Sequence, residues 1–241
     1  MSISTNVTVA VFVDQWPAQK LSSNSPLSQQ ILQPDDIHAH QSVFIQQGAL
    51  SVNNTLHTAN EGIYLAPHAR VELPANTATT AVRFAFITAT LDANAVTSRM
   101  ASHPGQNTET STLKLCKTFT LTQPSVIFRL DRVNFPPGSV AYRHTHPGAG
   151  LRYLSFGSLQ LHTDESVHSI SPGDAWFEAA NSPVKAVADV HKPSQFIRML
   201  LLPAEYEGKA SFTLANTADA DKPRLQTNHR YFDKNISVNK N

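Results

Sequence analysis

Gly138-Ser139-Val140-Ala141-Tyr142-Arg143-His144-Thr145-His146-Pro147-Gly148-Ala149-Gly150 is the stretch on which the reading of this chain turns. It sets two histidines two residues apart in a strand-like run that follows the Pro137-Gly138 turn. Side chains at i and i+2 of a strand project to one face. The His144 and His146 imidazoles are therefore expected to converge on one point, as ligands of a divalent metal must. The same parity assigns Tyr142 to their face and points it inward.

Counting outward, Gly138 is followed by five residues, His144-Thr145-His146, three residues, Gly150, six residues and Gly157. Fifteen residues later comes Gly173-Asp174-Ala175-Trp176-Phe177-Glu178. The first spacing resembles the first motif of the cupin superfamily, and the second resembles the start of its second motif. The resemblance covers residues 125 to 203. It implies a metal held by three histidines and one glutamate, of which only the His-X-His pair is present here. In register, Gly150 stands at the glutamate position and Val184 at the third histidine position. The Pro-X-Gly of the second motif reads Ala179-Ala180-Asn181, where Asn tolerates left-handed backbone angles. A catalytic metal can work with three protein ligands and water, so Glu178 is the candidate to join His144 and His146 around Fe, Mn, Ni or Zn.

Around this stretch, short alternating or β-branched runs bounded by Pro, Gly and Asn recur, and long helical periodicity is almost absent. Runs such as Val7 to Val13, Val82 to Ile87, Ser125 to Arg129 and Phe196 to Leu202 read as strands. One helical piece is expected from Ala93 to Ser102, with Asp92 as its N-cap. The halves also repeat: Phe44 to Val52 parallels Leu154 to Leu161, and Val82 to Ile87 parallels Phe196 to Leu201. The expected fold is all-β, two tandem cupin (double-stranded β-helix, jelly-roll) barrels, one over residues 1–112 and the other over 113–241. His38-Ala39-His40 in the first half has the wrong spacing to its glycine, so these two read as exposed loop histidines. The polar segment after Glu205 is expected to pack on a barrel or on a neighbouring subunit.

With 15% charged residues, a formal charge of +1 and no basic run, the chain gives no reason to expect nucleic-acid binding. No apolar run reaches the roughly 18 residues of a membrane span, and the N-terminus lacks a basic n-region. A cytoplasmic protein without a membrane partner is the expectation. Cys116, the single cysteine, reads as a structural thiol.

The glutamate position at Gly150 defines inward parity on the next strand, and Arg152 lies two residues on. An inward arginine keeps its charge and needs an anion. Either it pairs with Glu178 or Asp174, or it binds an anionic substrate. Trp176 or Phe177 must face inward by alternation, which makes the pocket partly apolar. Arg152, Tyr142, Trp176 and Glu178 are thus the candidate substrate residues. The function expected is that of a cupin acting on or binding a small acidic organic molecule, in the form of a metal-dependent dioxygenase. A metal-free binder or sensor, or a metal-free sugar isomerase with a histidine base beside Tyr142, remain the alternatives. The resemblance also implies a homodimer.

Overall fold

The computed structural model describes residues 4–18, 29–30, 39–66, 69, 71–74, 76–100 and 110–238. The chain divides into two compact units, one ending at Thr122 and the other spanning Gln123–Val238. The first comprises β1 (Thr5–Trp16), β2 (Gln29–Gln30), β3 (Ala39–Gln47), β4 (Ala49–Val52), β5 (Thr55–Thr58), β6 (Gly62–Leu65), β7 (Val71–Glu72), β8 (Thr79–Ile87), α1 (Ala93–Met100) and β9 (Thr110–Leu121). The second comprises β10 (Ser125–Phe135), β11 (Val140–Thr145), β12 (Ala149–Phe156), β13 (Leu159–His162), β14 (Val167–Ile170), β15 (Ala175–Glu178), β16 (Val184–Ala188), β17 (Ser194–Pro203), β18 (Thr213–Leu214) and β19 (Thr227–Ser237).

Strand order repeats between the units. One sheet runs β6-β3-β8-β1-β9 in the first and β15-β12-β17-β10-β19 in the second. The other runs β5-β4-β7-β2 and β14-β13-β16-β11, with β18 added at the edge of the latter. A residue boundary at 112/113 cuts through β9, which pairs with β1 along its whole length. The division falls instead after Thr122, because β9 closes the first sheet as β19 closes the second.

A small device recurs at the same place in each unit. Gly48 and Gly157 both turn at φ 81°, a left-handed conformation that glycine adopts without a Cβ penalty. The hydroxyl that opens the closing strand then ties down the next residue. Thr79 Oγ1 donates to Ala49 O at 2.9 Å and accepts from Ala49 N at 3.2 Å. Ser194 Oγ does the same for Ser158, at 2.8 and 3.0 Å. Both closing strands are apolar and buried, the pattern of a strand covered on both faces. The helix starts where its cap dictates, with Asp92 Oδ1 accepting from Ala95 N at 2.7 Å.

Each unit has its own core. In the first, Val43, Ile45, Leu50, Leu65 and Ala81 pack with Trp16. In the second, Val133, Phe135, Leu154, Leu161, Val184 and Phe196 cluster.

Candidate functional site

The second unit encloses a cavity of about 400 Å³ lined from both of its sheets, a size within the range of small-molecule sites. Its floor is set by the ladder of one sheet. Arg230 on β19 stands opposite Asp131 on β10, Asp131 opposite Arg198 on β17, Arg198 opposite Arg152 on β12, and Arg152 opposite Trp176 on β15. All five side chains line the cavity. Two arginines thus lie side by side on neighbouring strands, a placement that costs stability unless anions flank it.

Asp131 and Glu178 supply those anions. Arg198 donates from Nε and Nη2 to the two oxygens of Asp131 at 2.9 and 2.7 Å, a two-pronged pair with both partners buried. Arg152 is 1% exposed and donates from Nη1 to Gly150 O at 2.8 Å. Its Nη2 sits 2.6 Å from Glu178 Oε2, a largely buried ion pair. Burial, then Arg198, pulls the Arg152 guanidinium down to about 10 while Glu178 and Asp131 pull it up, so it is charged at neutral pH. Glu178 also accepts from Trp176 Nε1 at 2.9 Å, and the Trp176 ring packs edge-on against Phe196. Of the two expected partners of Arg152, Glu178 is the one that engages it; Asp174 instead accepts from Ser171 N in the turn.

His144 and His146 do come together, with ring centroids 5.0 Å apart. Each donates from Nδ1 to a backbone carbonyl, His144 to Tyr142 O at 2.7 Å and His146 to Ser211 O at 2.8 Å. This fixes the tautomer and leaves Nε2 as the acceptor. Burial pulls His144 down to about 4, with Arg198 and Arg152 adding to it and Glu178 opposing. His146 is held well below the ordinary histidine range by burial and then by Arg198. Both rings are neutral near pH 7. Phe212 stacks on His144 at 4.2 Å, and β18 pairs with β11 beside it. The segment after Glu205 therefore folds onto its own unit, and Ala210, Ser211 and Phe212 line the cavity.

Tyr142 does not take the place that parity gave it. Ala141 pairs with Ala186 and His144 with Val184, so β11 carries one extra residue between them. Such a bulge reverses the alternation. Ala141 and His144 face the cavity, and Tyr142 lies outside it with the Lys222 ammonium 5.2 Å from its ring centroid.

The donor set does not fit a metal. His146 Nε2 accepts from Arg198 Nη1 at 3.1 Å, where a cation would have to bind. Glu178 is engaged by Arg152 and Trp176, and Val184 fills the third histidine position as part of the apolar wall. Among the described residues no group of three His, Cys, Asp or Glu side chains could hold an ion. Nor does Gly150 leave room for a glutamate side chain. A Cβ there would stand 2.2 Å from Met199 O, so this glycine exists to bring β12 close to β17.

In the first unit, His40 is no loop residue. It sits in β3, half-buried, with Nδ1 2.8 Å from Tyr64 Oη and its ring between Tyr64 and Phe86. His38 lies outside the described residues. Asp131, Arg198, Ser211 and Phe212 escaped the motif-based reading. For the first two a signal existed: a charge inside an otherwise apolar strand run is rare unless paired.

No family model and no curated protein matches the sequence. Solved structures do resemble it. AerE from Microcystis aeruginosa is 12% identical over 80% of this chain and 88% of that one, with a TM-score of 0.51. A cupin 2 conserved barrel domain protein from Leptotrichia buccalis is 12% identical over 83% and 88%, with a TM-score of 0.44. The polyketide cyclase RemF from Streptomyces resistomycificus is 20% identical over 32% of this chain and 56% of that one, with a TM-score of 0.30. At these identities the likeness concerns the fold. The strand order repeated in the two units, together with the likeness to AerE, shows an all-β fold of the cupin-barrel type.

Proposed function

We propose that the second barrel is a metal-free pocket that binds a small organic acid with an apolar body. The observation that carries this is an excess of positive charge in the cavity wall: Arg129, Arg152, Arg198, Arg224 and Arg230 line it against two carboxylates, Asp131 and Glu178, with Arg152 and Arg198 buried side by side and Asp233 serving Arg129 and Arg230 from behind the wall. Two like charges about 6 Å apart at an effective dielectric near 20 repel by about 3 kcal/mol. Asp131 and Glu178 balance that pair, and a ligand carboxylate offsets the positive charge left on the other lining arginines. Val133, Phe135, Leu161, Trp176, Phe196 and Phe212 offer the apolar remainder of the ligand its wall.

The neutral His144 contributes an acceptor, since its Nδ1 is committed to Tyr142 O and its Nε2 is left for a ligand hydroxyl. An acid–base pair of His144 with Tyr142 is not formed, because Tyr142 stands outside the cavity. Metal-dependent oxygen chemistry has no support in a donor set of two imidazoles, one of which already serves Arg198.

The test is a calorimetric comparison of 3-phenylpropanoate with its uncharged amide. The acid should bind at least about tenfold more tightly than the amide, the worth of one charge-assisted hydrogen bond. Equal affinity for the two would contradict the proposal.

A further inference from the structure

We infer that residues 210–216 form a strap that lifts off the two histidines to admit a ligand and closes again over it. This rests on the reading above that the cavity holds a ligand, although the motion itself is tested without one. The groups that would meet a ligand, Arg152, Arg198, Asp131, His144 and His146, are all buried. Ala210, Ser211 and Phe212 line the cavity with them, while Ala210 and Thr213 are exposed. This short piece of chain therefore has the cavity on one side and solvent on the other.

The strap is anchored firmly at its start and lightly along its length. Lys209 O, just before it, accepts from Arg129 Nη1 at 3.0 Å and from Arg230 Nη2 at 2.8 Å, and both arginines are themselves tied to Asp233. Beyond that anchor, Ser211 O accepts from His146 Nδ1 at 2.8 Å, the two residues of β18 pair with β11, and Ala215 N donates to Arg143 O at 2.9 Å. Phe212 adds a ring stacked on His144 with centroids 4.2 Å apart. The chain then turns at Thr217–Asp219, where the Lys222 ammonium holds Asp219 at 2.6 Å. By contrast β16, the other neighbour of β11, is paired on both of its edges. Segments with few ladder bonds and exposed backbone open before the doubly paired strands of a sheet.

Opening and binding are coupled because the strap rests on cavity residues. Lifting it unstacks Phe212 from His144 and frees His146 from Ser211 O, which opens the wall beside the His146 and Arg198 pair. Lowering it returns Phe212 to the wall and keeps water from the guanidinium groups, and a lower local dielectric strengthens their hold on an anion. Phe212 is thus the side chain that closes the chamber, and the β11 to β18 pairing is its latch.

The experiment clamps the latch in the full chain. Thr145 and Thr213 stand opposite each other in the β11 to β18 ladder, and opposed residues of an antiparallel pair have Cα atoms about 4.5 to 5.5 Å apart, a spacing that a disulfide spans. Thr145→Cys with Thr213→Cys is made in a Cys116→Ser background, which leaves the introduced pair as the only cysteines. Without ligand, the Ala215 amide of the reduced protein should exchange its hydrogen at least about tenfold faster than the Ala188 amide, which donates to Ser139 O in the same unit. Oxidation should slow Ala215 at least about tenfold and leave Ala188 unchanged. Stopped-flow association of 3-phenylpropanoate should slow at least about tenfold on oxidation and recover with dithiothreitol. Phe212→Ala, which needs no disulfide, should speed both Ala215 exchange and release of the acid at least about fivefold. Ala215 exchange that is as slow as that of Ala188, or an association rate that is the same in the oxidised and reduced proteins, would overturn the strap and leave the acid-binding reading standing. Absence of acid binding in the reduced and unmodified proteins would overturn the acid-binding reading, and the strap is then decided by the exchange of Ala215 alone.

Discussion

Asp131 holds Arg198 with two hydrogen bonds, and Arg198 in turn presents Nη1 to His146. Removing the carboxylate strands a buried guanidinium, a change that costs about 3 to 5 kcal/mol. Asp131→Ala should show that loss in urea denaturation, and the double variant Asp131→Leu with Arg198→Met should recover most of it. A double variant no more stable than the single one would mean that the pair is not the unit described. The histidines give a pH dependence. A histidine held near 4 when folded but near 6.5 when unfolded takes up protons preferentially in the unfolded state between those values. Stability is then full above about pH 6.5 and falls as the pH drops toward 4. His144 alone accounts for about 3 kcal/mol at the limit, and His146 acts in the same direction. Melting temperatures measured from pH 7 to 4.5 should fall more steeply for the wild type than for His144→Gln; equal slopes would remove this origin. At the residue level, the sequence turned Arg152 inward, because strand parity applies without interruption between Gly150 and Arg152, and offered Glu178, Asp174 or a substrate as its anion; the folded chain pairs it with Glu178. It misplaced Tyr142 because a bulge leaves no mark in the spacing of polar and apolar residues.

Two glycines and two hydroxyls show how elements are locked together. Ser194 ties the turn at Gly157 to the closing strand β17 through paired bonds to Ser158. Ser194→Ala should cost about 1 to 2 kcal/mol. Gly150→Ala should cost more, since its Cβ would meet the Met199 carbonyl and the Leu200 side chain on β17. Paired strands cannot separate locally without losing ladder bonds, so the predicted order of damage is Gly150→Ala above Ser194→Ala in chemical denaturation; the reverse order would show that β12 has slack against β17. The strands themselves were legible, because alternating and β-branched runs between turn residues leave few other conformations. The edges were not. β9 is half-exposed along most of its length, and its weak apolar alternation let a boundary be drawn through it.

For the whole molecule, the two units share one strand order although their sequences agree only at a few anchors. Topology was readable because glycine turns and buried closing strands recur in sequence order. The chemistry of the site was not, since it depends on Arg198, Asp131 and the segment from Ala210 to Phe212, which are brought to the His-X-His strand only by the folded chain. A motif with metal-ligand spacing thus leads to a site in which a guanidinium faces the imidazole that a metal would use. The function proposed for this pocket is accordingly the binding of an anion and not of a cation. The most direct test is calorimetric titration of the chelator-treated protein with 3-phenylpropanoate, beside Arg152→Met. Binding should survive the removal of metal, gain nothing from added Fe, Mn, Ni or Zn, and weaken by about 10- to 100-fold in Arg152→Met, the worth of a charged hydrogen bond. Binding that disappears on chelation and returns with a divalent metal, or that is untouched by Arg152→Met, would contradict the account.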